Sequence, residues 1–226
     1  MQLKPDNVLI LPGWLNSGPA HWQSRWQAAH GYARVEQHDW ARPLRGDWIA
    51  RLEDVVLAQA RGEPITLVAH SLGCLLVAAW AALSPNTHRV RCAFLVAPCD
   101  VALEALRPVL PSWKPIAAHP AAEPNPPMQP DALRESTSQG PTSQKLPFKS
   151  LLLASHTDPY CSFARAQALA TSWGSTLIDC GARGHLNADS GLGDWPEGHA
   201  LLLALQRGEP VRFQQKNSRD PMKAID

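Results

Sequence analysis

The sequence has no long apolar run and no excess of either charge. None of its hydrophobic stretches approaches the roughly 20 residues that cross a bilayer, and residues 1–6 lack the apolar segment of a secretory signal. With 21 basic and 20 acidic residues the formal net charge is +1, and the charges are interspersed. We therefore expect neither a nucleic-acid partner nor a membrane partner.

Cysteines are few, and they show no metal-binding or redox spacing. The five are odd in number and form no C-x-x-C pair, which favours reduced core thiols in a cytoplasmic protein. The sequence also lacks an H-E-x-x-H motif and a glycine-rich phosphate loop, so we expect no metal and no organic cofactor. The cysteines are Cys74, Cys92, Cys99, Cys161 and Cys180.

A serine lies between an apolar run and a segment rich in leucine and alanine. Residues 65–69 suit a buried strand and residues 72–82 a buried helix, with Ser71 at the junction. Ala69 and Gly73 keep the flanking positions small, as a sharp strand-to-helix turn requires. The pattern predicts a nucleophile elbow, with Ser71 as nucleophile and the N–H of Leu72 as an oxyanion donor. The alternative is that Ser71 only caps the helix.

Apolar runs alternate with helical periodicity along most of the chain. The alternation predicts an α/β fold with a mostly parallel sheet in one domain over residues 1–206. Residues 108–147 hold ten of the 21 prolines and are interpreted as an irregular loop or cap, and residues 207–226 as a polar tail. The predicted strands are 7–11, 34–37, 65–69, 90–97, 148–155 and 176–180; the helices are 20–29, 48–60, 72–82, 163–172 and 195–206.

The loop at residues 12–19 follows the first predicted strand and has glycine and proline at both ends. A backbone N–H in such a loop can donate to an oxyanion, and Trp14 is the candidate; an ordinary connecting loop is the alternative. Tryptophans also supply pocket walls. Trp14, Trp22 and Trp113 are therefore candidate substrate contacts, although Trp113 could equally pack on the surface.

An elbow serine needs a base, and the base needs an acid that orients it. In α/β-hydrolases the order along the chain is serine, acid, histidine, each placed after a strand. Asp158 follows the strand predicted at 148–155, and His185 follows the strand predicted at 176–180 with glycines at 181 and 184 before it. We predict Asp158 as the acid and His185 as the base.

Other acids and histidines remain as alternatives. Asp100 ends an earlier strand and is the alternative acid, whereas Asp179 is expected to point away from the site. His70 adjoins the serine but is expected to face the side of the elbow, and His199 lies in a predicted helix. The remaining histidines lack a strand-end position and are interpreted as surface residues: His21, His30, His38, His88, His119 and His156.

Together these motifs resemble the retinoblastoma-binding-protein-9-type serine hydrolases, which are small α/β-hydrolases. The resemblance covers most of residues 7–206. It implies a compact α/β-hydrolase fold with helices on both faces of the sheet and no large lid, and it implies Ser71, Asp158 and His185 as the triad. It rests on Leu-Pro-Gly-Trp at 11–14, Pro-Ala-His-Trp-Gln at 19–23, Ala-His-Ser-Leu-Gly at 69–73, Ser-His-Thr-Asp-Pro-Tyr at 155–160 and Gly-His-Leu-Asn at 184–187.

The expected chemistry is acyl transfer from a small, uncharged ester, with amides and thioesters as open alternatives. A dehalogenase or epoxide hydrolase would need a carboxylate at the elbow, and Ser71 argues against both. An alternative from another class is a protein-interaction module on a hydrolase scaffold, with little or no catalysis. No motif in the sequence indicates a protein partner.

Overall fold

In the computed structural model, which describes residues 8–113 and 144–211, six strands form one sheet. The spatial order is β2-β1-β3-β4-β5-β6, and every neighbouring pair is parallel. The predicted α/β class with a mostly parallel sheet is therefore confirmed. The strands are β1 (Val8–Leu11), β2 (Ala33–Arg34), β3 (Ile65–His70), β4 (Val90–Val96), β5 (Lys149–Ala154) and β6 (Thr176–Asp179).

Five helices connect these strands within the described residues, and each corresponds to a predicted helix. Ser162 caps the fourth helix, because its side chain accepts a hydrogen bond from the N–H of Arg165. The second helix begins earlier than predicted: Asp47 lies in its first turn, and Leu44 precedes the helix without a side-chain cap. The helices are α1 (Trp22–His30), α2 (Arg45–Ala58), α3 (Leu72–Ala81), α4 (Phe163–Trp173) and α5 (Pro196–Arg207).

The four inner strands of the sheet are buried on both faces, which explains why they are predominantly apolar in sequence. Successive side chains of β1 point to opposite faces, so Leu9 and Leu11 join one hydrophobic cluster while Val8 and Ile10 join the other. The first cluster includes buried residues of α2, α3 and α4, and the second includes those of α1 and α5. The helices thus cover both faces, as expected.

All six described strands run in the same direction, so their carboxyl ends lie along one edge of the sheet. From β1 the chain moves outward to β2, whereas from β3 it moves in the opposite direction through β4, β5 and β6. The neighbours β1 and β3 therefore form a switch point, where the loops that follow them diverge and leave a crevice.

Parts of the predicted cap and tail lie outside the described residues. Of the predicted cap, residues 114–143 are not described, and residues 111–113 form a short 3-10 turn. Helix α5 ends at Arg207, and residues 212–226 are not described. The division into one domain and a tail stays a prediction. Within the described ranges, no helix has the length and hydropathy of a transmembrane segment.

Candidate active site

Ser71 occupies a strained turn between β3 and α3. Its backbone has φ 54° and ψ −120°, a conformation that residues other than glycine rarely adopt. A Cβ at Gly73 would lie 2.3 Å from the carbonyl oxygen of Leu11, and one at Gly13 would lie 2.8 Å from Cβ of Ser71. The close approach of the β1 loop to the elbow therefore requires glycine at both positions, which accounts for the small residue noted at position 73.

Ser71, His185 and Asp158 form a continuous chain of hydrogen-bonding groups. His185 Nε2 lies 3.0 Å from Ser71 Oγ, and His185 Nδ1 lies 2.9 and 2.8 Å from the two carboxylate oxygens of Asp158. A carboxylate only accepts, so Nδ1 carries the proton and Nε2 is free to accept from the serine hydroxyl. The His185 and Asp158 side chains are 8% and 3% exposed, so water competes little for these bonds.

The loops after β5 and β6 are joined to each other by hydrogen bonds to the backbone. The Ser155 hydroxyl accepts from the N–H of Arg183 at 2.8 Å, and the Thr157 hydroxyl accepts from the N–H of Gly184 at 2.9 Å. Asp158 Oδ1 also accepts from the N–H of Tyr160 at 2.8 Å. These bonds fix the spacing between the loop that carries the carboxylate and the loop that carries the imidazole.

The alternative acids and the helical histidine have other partners. The carboxylate of Asp100 lies 3.5 Å from Arg165 Nε, and Asp179 pairs with the exposed His156 at 2.9 Å. His199 lies 2.7 Å from the hydroxyl of Tyr32. Asp158 is therefore the carboxylate that the structure brings to His185.

The surface interpretation of His21 is wrong, because its side chain is buried beside the elbow. Its Nδ1 accepts from the N–H of Gln23 at 3.1 Å and thereby caps α1, and its ring packs edge-on against His70 at 4.7 Å. Burial lowers the pKa of His21 to about 3. Of the other histidines interpreted as surface residues, His119 lies outside the described residues and the rest are exposed: His30, His38, His88 and His156.

His70 lies beside the elbow and is also buried. Its Nε2 is 2.9 Å from the backbone carbonyl oxygen of His185 rather than near the serine hydroxyl. Burial lowers its pKa well below the ordinary value for histidine. His70 is therefore a neutral ring that contacts the loop of His185.

A cavity of about 270 Å³ opens beside Ser71. Its wall includes the half-buried Trp14, and the Trp14 indole donates to the carbonyl of Ala41 at 3.0 Å. Several further wall residues lie within the sequence motifs but were not predicted as substrate contacts, among them His21 at 19–23 and Tyr160 at 155–160. The apolar part of the wall is Trp14, Leu15, Leu72, Cys99, Leu106, Leu110, Tyr160 and Ala188, and the polar part outside Ser71 and His185 is Asn16, His21, His70 and Asn187.

Two of the three tryptophans predicted as substrate contacts do not line this cavity, so that prediction is wrong for them. Trp22 is 1% exposed and packs against Trp26 and Trp195 in the core. Trp113 is 4% exposed, packs edge-on against Trp48 and donates to a backbone carbonyl. A tryptophan whose indole N–H donates to a backbone carbonyl can be fully buried in the core, so it need not face a ligand.

All five cysteines are buried and unpaired. Among residues 8–113 and 144–211, no group of three or more histidine, cysteine, aspartate or glutamate side chains is arranged to hold a metal ion.

The class of fold follows from this arrangement. Loops after β3, β5 and β6 supply a serine, a carboxylate and a histidine, which is the chain order of α/β-hydrolases. The sequence matches the serine hydrolase family over residues 8–204, and the chain belongs to that family. The resemblance drawn from the sequence motifs is thereby confirmed.

Solved structures with the same fold include two YdeN-like proteins and an esterase. A YdeN-like hydrolase from Pectobacterium atrosepticum is 25% identical, with 90% of this chain and 92% of that chain covered and a TM-score of 0.67. The ydeN gene product of Bacillus subtilis is 18% identical, with coverage of 88% and 98% and a TM-score of 0.62. Carboxylesterase CesB from Bacillus subtilis is 15% identical, with coverage of 91% and 85% and a TM-score of 0.52. Among curated protein sequences none matches the chain.

Proposed function

We propose that this protein hydrolyses a small, uncharged acyl ester through an acyl-enzyme formed on Ser71. The supporting observation is the buried chain from Ser71 Oγ through His185 to Asp158, with distances of 3.0 Å to the serine and 2.8 Å to the nearer carboxylate oxygen. His185 takes the hydroxyl proton as Ser71 attacks the carbonyl, and then gives it to the leaving alcohol. Water attacks the acyl-enzyme with His185 again as base, which regenerates the serine.

The oxyanion donors in this proposal are the backbone N–H groups of Leu72 and Trp14. Leu72 is the first residue of α3, so its N–H has no acceptor within the helix and points from the positive end of the helix dipole. Trp14 follows Gly13, whose backbone packs against Ser71. Each donor should contribute about 3 kcal/mol of transition-state stabilisation.

The cavity supports a small and uncharged substrate. Its volume of about 270 Å³ lies just below the roughly 300–1,000 Å³ typical of sites for drug-sized ligands. None of the described residues in its wall is lysine, arginine, aspartate or glutamate, and burial keeps both His21 and His70 neutral at pH 7. A charged acyl group would therefore find no counter-ion there. We propose esters ahead of amides and thioesters, in line with the carboxylesterase among the structural neighbours.

We also propose that the protein is cytoplasmic. The support is that all five cysteines are free and buried, as expected for a chain kept in a reducing compartment.

The first test is labelling with a fluorophosphonate, which reacts only with an activated serine. Intact mass spectrometry should find one adduct on the wild type and none on Ser71→Ala or His185→Ala. No adduct on a folded wild type would contradict the enzyme proposal and would favour a protein-interaction module, to be pursued by partner pull-downs.

The acid is tested by hydrolysis of p-nitrophenyl acetate. Asp158→Asn should lower kcat by about 10⁴-fold, because the amide favours the wrong imidazole tautomer. Asp100→Asn is the matched control and should retain activity, since Asp100 pairs with Arg165. Full activity in Asp158→Asn together with loss in Asp100→Asn would overturn the assignment.

A further inference from the structure

Two buried side chains hold the backbone of the loop that carries His185. His70 Nε2 lies 2.9 Å from the carbonyl oxygen of His185, and Trp22 Nε1 donates to the carbonyl oxygen of Leu186 at 2.8 Å. Both acceptors are carbonyls, so both rings donate an N–H, and the neutral His70 ring carries its proton on Nε2. One donor comes from the end of β3 and the other from α1.

The backbone conformation on either side of His185 needs contacts from the rest of the protein to stabilise it. Gly184 and Leu186, on either side of His185, have φ of 57° and 47°. A left-handed residue other than glycine costs on the order of 1 kcal/mol or more, so Leu186 needs surrounding contacts to stay there. Its side chain is fully buried, and its carbonyl accepts the Trp22 bond.

The two carbonyls are consecutive along the chain, which gives the pair of bonds a directional effect. The carbonyl of His185 lies in the peptide plane between residues 185 and 186, and the carbonyl of Leu186 lies in the next plane, so the two bonds fix both planes that meet at the Cα of Leu186. The first of these planes also meets the Cα of His185, so the bonds restrict the direction of the Cα–Cβ bond of His185. The imidazole must keep a bond at each end, 3.0 Å to Ser71 and 2.8 Å to Asp158, and a small rotation would lengthen one of them.

We propose that His70 and Trp22 are positioning residues, which hold the imidazole of His185 between Ser71 and Asp158 by fixing the backbone of its loop. The inference rests on the proposed function, because it assumes that His185 is the base. Neither side chain touches the substrate carbonyl or the serine hydroxyl in this role.

The surroundings of His70 agree with this role. Its ring centroid lies 4.8 Å from that of His185. A positive charge at that distance would oppose the imidazolium that His185 becomes during the reaction. Burial lowers the pKa of His70 well below its ordinary value, so the ring donates its hydrogen bond without carrying a charge.

The chain offers a matched pair of tryptophans for the test. Trp22 and Trp26 are both on α1, both are 1% exposed, and both donate an indole N–H to a backbone carbonyl. Trp26 donates to Asp194, which lies nine residues beyond His185 in the connection between β6 and α5. Replacement by phenylalanine keeps an aromatic ring in each position and removes the N–H, so only Trp22→Phe removes a hydrogen bond to a residue next to His185.

With p-nitrophenyl acetate, Trp22→Phe should lower kcat about 10- to 100-fold with less than a twofold change in KM, since displacement of a reacting group by about 1 Å costs this much. Trp26→Phe should stay within twofold of wild type in both constants. Both variants should lose similar thermal stability. An equal loss of kcat in the two variants, or none in Trp22→Phe, would overturn the inference.

His70 provides a second pair in case Trp22→Phe fails to fold. His70→Gln retains an N–H donor, so its kcat should be at least 10-fold higher than that of His70→Leu, which has no donor, while both variants, which change the same wall position of the cavity, should have similar KM values. Equal activity in these two variants would also overturn the inference. Fluorophosphonate labelling distinguishes a failure of the proposed function from a failure of this inference. If the wild type is not labelled, the proposed function is refuted. If the wild type and Trp22→Phe are labelled at the same rate, the positioning role is refuted.

Discussion

The buried ring of His21 should make the protein lose stability in mild acid. Its side chain is 5% exposed, and its Nε2 has no hydrogen-bond partner among the described residues. Desolvation is the main reason that its pKa falls from 6.5 to about 3, with smaller electrostatic contributions from His185 and Arg34. The adjacent His70 is shifted in the same direction.

The sign of the effect follows from the two pKa values. Between pH 6.5 and about 3 the unfolded chain binds a proton at His21 that the folded chain does not bind. Acid therefore favours the unfolded state, and stability is present above pH 6.5 and lost as the pH falls. The loss is about 1.4 kcal/mol for each pH unit below 6.5, or about 2 kcal/mol at pH 5 from this one side chain. That is a large part of the roughly 5–15 kcal/mol that stabilises a typical domain.

The variant His21→Asn isolates this contribution. Asparagine is among the best N-cap residues, so the N–H of Gln23 keeps an acceptor while the titrating ring is removed. Urea unfolding of wild type and variant at pH 7.5 and pH 5.0 measures the difference. The wild type should lose about 2 kcal/mol more than the variant between these values.

The control for this experiment is His38→Asn on the surface, which should lose as much stability as the wild type. An identical loss in wild type and His21→Asn would refute the reasoning, since it would mean that the folded protein accommodates a protonated ring at this position.

Three further predictions concern the elbow, the half-buried carboxylate of Glu53 and the thiols. Gly73→Ala should lower the free energy of unfolding by about 3 kcal/mol or abolish folding, because its Cβ would meet the carbonyl of Leu11 at 2.3 Å; Gly18→Ala, with open space around it, should change little. Glu53→Gln should cost about 2 kcal/mol in urea unfolding, because the carboxylate accepts three side-chain hydrogen bonds, one of them from Trp80 at 2.6 Å. Iodoacetamide should modify none of the five buried thiols in the native protein and all five in urea, because burial raises their pKa values; rapid native labelling would contradict this.

Much of the fold could be predicted because both faces of the sheet are buried. A strand covered on both sides is apolar at most positions, and such runs are recognisable in the sequence at β3, β4 and β5. The edge strand β2 was harder to delimit: its two residues are only half-buried and pair with β1 alone, so the sequence around Arg34 has no strong pattern.

The three proposed catalytic residues could be predicted because each lies at a locally recognisable place. The elbow has steric requirements at positions 69 and 73 that are visible in the sequence, and the acid and base follow strands in a known order. The burial of Trp22, Trp113 and His21 depends instead on tertiary packing, that is, on which parts of the chain contact α1 and the turn at residues 111–113. Tryptophan has the same local pattern in a core as in a pocket wall, and a histidine that caps a helix looks like a surface residue until its neighbours are known.

The all-parallel sheet has a consequence for how the protein reaches its native state. Parallel strands cannot be joined by a tight turn, so no strand pair in the described sheet can form from a local hairpin. The pairing of β1 with β3 joins Val8 to Thr66, so these two strands meet only after a long crossover has been brought back. Such topologies fold slowly, because the chain loses the entropy of loop closure before the strand contacts that offset this cost can form. Ser71 follows β3, and the loop after β1 packs against its strained turn only once that pairing is complete. Enzymatic activity should therefore return later during refolding than helical circular dichroism does.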